Sequence, residues 1–264
     1  MDMKKYALTI LLFFCFSSIA LGCSCADIFY TTNDEFITSD FVGTIKIIST
    51  EEDPDSDERR TYIANIKPLA VFKREAPSEL RVSGTINGIN WGASCERSVE
   101  TGEEWMVALS KNDQNYFPLS YCSFASKLKS SDGTNTSRSG HWQAITHFQF
   151  LERTVPNLHR EYMLRESSGK ISDYLIQYDG QSFSSKSAHY LITFDEHLNI
   201  KTVEVLKGFN SEFDNEFVTF LKQQTKWEKE NPRFEKTPVI DGTKHIVGVF
   251  YYEDEKKFLS RFEL

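Results

Sequence analysis

The start of the chain is what most constrains its fold. Lys4 and Lys5 precede an almost wholly apolar run, Ala7 to Phe16, and Ala20-Leu21-Gly22 then sets small residues where a signal peptidase reads. This pattern predicts an export signal over residues 1–22, to be left out of fold reasoning, with Cys23 as the first residue of the mature chain. Export carries cysteines into an oxidising compartment, where they pair. Of the five cysteines, Cys15 leaves with the signal, and Cys23, Cys25, Cys95 and Cys122 remain. An even number predicts two disulfides, with three connectivities open at this point. No C-x-x-C pair occurs, so a structural zinc site is disfavoured.

The remaining composition is that of a folded chain: 264 residues, 40% hydrophobic and 26% charged, a length that suits two modest domains. A net charge of −8 argues against nucleic acid as a partner, since phosphate binding needs clustered Lys and Arg. No apolar run of about 18 residues follows the signal, so no transmembrane span is expected.

From Phe41 to Leu119 the sequence reads as short strands. Val42–Ile48 is β-branched, Tyr62, Ala64 and Ile66 alternate until Pro68 ends the run, and Leu80, Val82, Gly84 and Ile86 alternate again. Trp105–Leu109 is continuously apolar, as in a strand buried on both faces, and Tyr116–Leu119 adds a fifth piece. Five short strands predict a small closed barrel of the OB type over residues 23–128. Ser130–Gly140 contains no apolar side chain, which predicts a flexible linker over 129–141. A second, α+β domain is expected over 142–264. Trp142, Ile145, Phe148 and Leu151 predict a helix, and strands are expected at Ile171–Tyr178, His189–Phe194, Ile200–Leu206 and His245–Tyr251. A second helix has Phe213, Phe217, Phe220 and Leu221 on one face, capped by Ser211 or Asp214. The fold class expected is therefore mainly β plus α+β.

No catalytic fingerprint stands out: G-x-S-x-G, a P-loop and H-E-x-x-H are all absent, so no enzyme, cofactor or intrinsic metal is predicted. The acidic run Glu51–Glu58 holds Asp53, Asp55 and Asp57 at calcium-loop spacing. It lacks the glycine and the bidentate Glu of such a loop, and reads as a hairpin tip. The histidines show no metal spacing and read as surface or packing residues, and Trp142 and Trp227 read as core.

Against that background, four features belong together: the Cys-Ser-Cys start, Ser39-Asp40-Phe41-Val42-Gly43-Thr44, Cys95, and Cys122-Ser123-Phe124. They resemble the tissue inhibitors of metalloproteinases and their netrin-like module, over about residues 23–127. The resemblance implies an OB barrel with Cys23 paired to Cys95 and Cys25 to Cys122. On the chain-entropy argument each of these long loops would contribute about 4 kcal/mol. It further implies an inhibitory edge made of Cys23, Ser24 and Cys25. There the free α-amino group and carbonyl of Cys23 chelate the zinc of a partner metalloprotease, and Ser24 points into its substrate pocket.

Leu198–Trp227, Asp241-Gly242 and the His245–Phe250 strand are similar to the TonB-type C-terminal domain, over about residues 187–252. That similarity implies a β-β-α-β unit of a bacterial envelope protein that docks to other proteins. The leading expectation is an exported binding protein, periplasmic or extracellular, that inhibits a metalloprotease. The alternative is a non-inhibitory structural or interaction protein of the cell envelope. For that alternative, Ala20-Leu21-Gly22-Cys23 also resembles a lipobox, with Ala20 where leucine is usual. Lipidation would consume the Cys23 sulfur and leave three cysteines, so parity favours ordinary cleavage.

Overall fold

The computed structural model describes residue 25 and residues 32–56, 61–84, 86, 96–136, 141–154, 164–229, 237–253 and 256–261. The protein is mainly β with four helices among these residues. In the first half β1 (Phe41–Glu52) and β2 (Thr61–Lys73) form a long antiparallel hairpin. With β3 (Glu79–Ser83), β4 (Glu104–Leu109), β5 (Pro118–Leu119) and β6 (Phe124–Lys129) they make a six-stranded sheet of order β5-β3-β2-β1-β4-β6. The sequence predicts five of these strands. The sixth, β6, has every residue half-buried and so shows no clear alternation.

β2 does not end at Pro68 but runs on to Lys73. Pro68 stands opposite Ile45 at a shift in register, and β3 pairs with β2 only from Thr61 to Asn65. The missing N–H therefore faces an edge that β3 leaves uncovered. At the other end of the hairpin the described part of the acidic run leaves β1 in a turn at residues 53–56. Asp53 is buried there and accepts from the Asp55 amide at 3.0 Å and the Thr61 hydroxyl at 2.7 Å, with Arg81 3.4 Å away.

β4 is buried on both faces because each face serves a different core. Trp105, Val107 and Leu109 turn inward with Phe41, Ile45, Tyr62, Leu80 and Leu119. Met106 and Ala108 turn the other way, with Val42 and Phe72. That second core extends beyond the first sheet. It takes in Phe36 of α1 (Thr32–Thr38), Ala144, Phe148 and Leu151 of α2 (His141–Thr154), and Ile246 from the second half.

The second half is built on a four-stranded antiparallel sheet of order β12-β11-β8-β9: β8 (Ser187–Phe194), β9 (Ile200–Lys207), β11 (Lys244–Glu253) and β12 (Lys257–Arg261). A separate pair joins β7 (Leu164–Glu166) to β10 (Trp227–Lys229). One face of the sheet, with Tyr190, Ile192, Phe194, Val247 and Val249, packs on α3 (Lys170–Ile176) and α4 (Ser211–Gln224). The other face, with Leu191, Leu206 and Ile246, packs on α2.

Three expectations for this half change. Ile171–Tyr178 is helix as far as Ile176 and then turn, not a strand: Ile171 and Leu175, four residues apart, are the buried side chains of α3. The cap of α4 is Asn210, which accepts from the Phe213 amide at 2.9 Å, since Asp214 is engaged with Tyr190. Trp142 is partly exposed at the edge of α2, against Phe250 and Tyr252, whereas Trp227 is buried.

The segment expected as a linker is also ordered at its start. Lys129 closes β6, and Asn135 bridges back to it across a turn in which the Ser130 amide donates to Thr134 O at 2.9 Å. Residues 137–140 lie outside the described residues, and α2 begins at His141. α2 thus lies between the two sheets and shares a core with both.

Candidate functional site

Cys25 is disulfide-bonded to Cys122, 97 residues further on, which is the pairing that the resemblance implies for these two residues. Cys122 sits in a short turn between β5 and β6. Ser-x-x-Ser suits that turn, because the Ser123 hydroxyl accepts from the Ser120 amide at 2.9 Å while the Ser123 amide donates to Ser120 O at 3.1 Å. The remaining members of the predicted edge, Cys23 and Ser24, and the predicted partner Cys95 lie outside the described residues.

The turn is braced by a residue that sequence reading missed. The Arg97 guanidinium donates to three carbonyls around Cys122: Ser120 O at 2.8 Å, Tyr121 O at 3.0 Å and Ala125 O at 3.1 Å. Its planar fork matches three fixed acceptors as a flexible ammonium would not. The guanidinium lies 5.4 Å from the centre of the Trp105 ring, and its burial pulls the pKa below the ordinary arginine value. The far side of the brace is equally tied down. The Tyr62 hydroxyl accepts from the Val99 amide at 2.9 Å, and burial raises its pKa. Glu103, almost wholly buried, accepts from Trp105 Nε1 at 2.9 Å and the Glu100 amide at 3.0 Å and pairs with Lys127. Tyr121, beside Cys122, is 56% exposed. Chemically this is a hydrogen-bonded, partly solvent-facing corner to which Cys25 is held by a covalent bond. Arg97 carried no signal that the sequence alone offered, because its acceptors are backbone oxygens.

A second cluster lies under α2. His147 donates from Nε2 to Asn33 Oδ1 at 2.9 Å, and Asn33 Nδ2 donates to Ile246 O at 2.7 Å, so one amide side chain links α1, α2 and β11. The His147 ring faces His189 of β8 at 5.3 Å between centroids, and His189 stacks on Phe150 at 3.9 Å. Gly248, opposite His189 in β11, makes the approach possible: a Cβ there would stand 3.1 Å from His147 Nδ1. Burial holds His147 down to about 4. Burial, with His147 and Lys207 adding to it, holds His189 down to about 2. Among the described residues, His147 Nδ1, both His189 nitrogens and both Gln143 amide atoms have no hydrogen-bond partner.

No group of three or more His, Cys, Asp or Glu is placed to hold a metal ion among the described residues, and no helix among them is long and apolar enough to cross a membrane. Comparison of the chain with known protein families and with curated proteins finds no match in either.

Proposed function

We propose that the chain is an exported binding protein with a netrin-like, OB-type first half, whose mature N-terminal edge, Cys23-Ser24-Cys25, engages the zinc of a partner metalloprotease. It acts by binding, not by catalysis. The observation that carries this reading is the Cys25–Cys122 bond onto a turn that Arg97 grips at three carbonyls. Chain termini are ordinarily loose. One held this firmly has its ordering entropy met before any partner arrives, which is what a presented ligand needs. The ligand atoms would be the α-amino nitrogen and carbonyl oxygen of Cys23. An α-amino group with an ordinary pKa of about 7.7–8.0 supplies a useful neutral fraction near pH 7. Once on the zinc, these atoms displace the water that the metal would otherwise activate.

The test is inhibition of a panel of zinc proteases by the mature chain with a verified free Cys23 amine, beside the same chain acetylated at that amine. Inhibition lost on acetylation supports the reading. Absence of inhibition across the panel overturns it.

A second reading rests on the other half. β8, β9, α4 and β11 come in the β-β-α-β order of a TonB-type domain, with the short β10 between α4 and β11, and β9 is an exposed edge strand. This supports a structural or interaction protein of a bacterial envelope, lipid-anchored at Cys23 or free. Intact mass of the protein from its native host separates the two: a gain of several hundred daltons at Cys23 excludes both the free amine and a disulfide there.

A further inference from the structure

We propose that His147 and His189 make the contact between α2 and the second sheet acid-labile, so that acidification releases α2 from β8 and β11 before either sheet unfolds. The argument starts from position. The second sheet meets the first half through a core in which Phe148, Leu151, Leu191, Leu206 and Ile246 are apolar, and the histidine pair lies in the same layer. His147 is 3% exposed and His189 is fully buried. Among the described residues, the His147–Asn33–Ile246 link is their polar tie across the seam, and three of their four ring nitrogens have no partner. A proton arriving on any of these nitrogens would place a charge in an apolar layer, between aromatic rings and shielded from bulk solvent.

The charged groups around the pair do not offset that cost. Across β8, Lys207 of β9 stands opposite His189 and bonds the Ser187 hydroxyl at 2.9 Å; its charge opposes a second cation. Glu204 of β9, opposite Leu191, is solvent-exposed. On α1, Asp34 and Glu35 follow Asn33 and each has an interaction of its own. On α2 the charges of the last turn, Glu152 and Arg153, are exposed. On β11, His245 is itself held down to about 3 by burial, with Arg261 and then His147 adding to it.

The sign follows from the depressed values. The closed seam keeps both rings neutral, whereas an opened one lets them titrate near 6.5. The contact is at full strength above about pH 6.5 and weakens as pH falls towards about 4, the value to which His147 is held. Each ring lowers the closed-to-open ratio about tenfold per pH unit over that range, and the pair about a hundredfold. A 14-residue helix depends on packing for its stability, so losing one of the two sheets that cover it exposes the amides of α2 to exchange.

Amide hydrogen exchange of the intact chain at pH 7.5 and pH 5, corrected for the intrinsic pH dependence of exchange, reads this directly. The expected result is acid-induced loss of protection in α2 and on the α2-facing side of β8 and β11, while β1, β2 and β4 stay protected. His189→Phe, which places one more ring among Phe150 and Phe250, should reduce the dependence to about tenfold per unit. If that variant does not fold, His147→Gln, which can still donate to Asn33, makes the same measurement. Simultaneous loss of protection in α2 and both sheets overturns the proposal. So does an acid dependence that neither variant changes.

Discussion

Phe148→Ala tests whether the two halves are one cooperative structure. Phe148 is fully buried in the core that α2 shares with both sheets. Its ring meets Phe124 edge-on at 5.7 Å and lies at small interplanar angles to Phe36 at 6.1 Å and Phe72 at 6.3 Å. Removing the ring forfeits transfer energy of about 2–3 kcal/mol. It also removes the aromatic pairings and leaves a cavity that three rigid elements cannot close, for a total of about 3–5 kcal/mol. The damage should appear in both halves, because the same cavity loosens β2 and β6 on one side and α2 on the other. Urea unfolding followed by hydrogen exchange, with separate peptides for β4 and for β8, measures this. Both peptides should report the same midpoint in the parent chain and the same shift in the variant. A β8 midpoint that stays in place while β4 moves, or a loss under about 1 kcal/mol, would refute the shared-core argument.

Other perturbations probe particular contacts. Gly208→Ala puts a Cβ 1.9 Å from Asp214 Oδ2 and should expel a carboxylate that accepts from the Tyr190 hydroxyl and the Phe209 amide, at a cost of about 2 kcal/mol or more in urea titrations. Asn210→Ala removes the cap of α4 and should cost about 1 kcal/mol in the same assay. Arg97→Ala leaves three carbonyls without their donor, so limited proteolysis should cut at Ser120–Phe124 sooner than in the parent. Reduction of Cys25–Cys122 frees a 97-residue loop and should lower stability by up to about 4 kcal/mol. The whole thermal transition should shift with it; a shift confined to the first half would contradict the common core.

Legibility followed how each element is buried. β4 was readable because a strand between two cores has apolar residues at successive positions, and Trp105–Leu109 has them. β8 and β11 were readable for the same reason, being buried at successive positions, and α4 because Phe213, Phe217, Phe220 and Leu221 share one face. α3 was misread because a run as short as Ile171–Tyr178 satisfies either period, and what decides is that Ile171 and Leu175 share one face against the second sheet. The first part of the expected linker, residues 129–136, forms a turn, since polar composition marks exposure and a solvent-facing hairpin tip is as exposed as a flexible chain.

The candidate site divides along the same line. Cysteine parity and the netrin-like resemblance pointed to Cys25 and Cys122, since covalent chemistry leaves its mark in residue type. Arg97 acts on carbonyls that any residue could supply, so nothing in the sequence near Cys122 announces it. The histidine pair was hidden for a different reason. Polar residues in an amphipathic pattern are placed towards water by default, which sends Gln143 and His147 to the outer face of α2. That default assumes one covered side. α2 is covered by a sheet on each side, and only Trp142, Gln149, Glu152 and Arg153 are exposed among its residues 142–153. A helix enclosed in that way must either be apolar all round or bury polar groups. Burying them makes the join between the halves depend on the protonation state of two side chains, which an apolar seam would not.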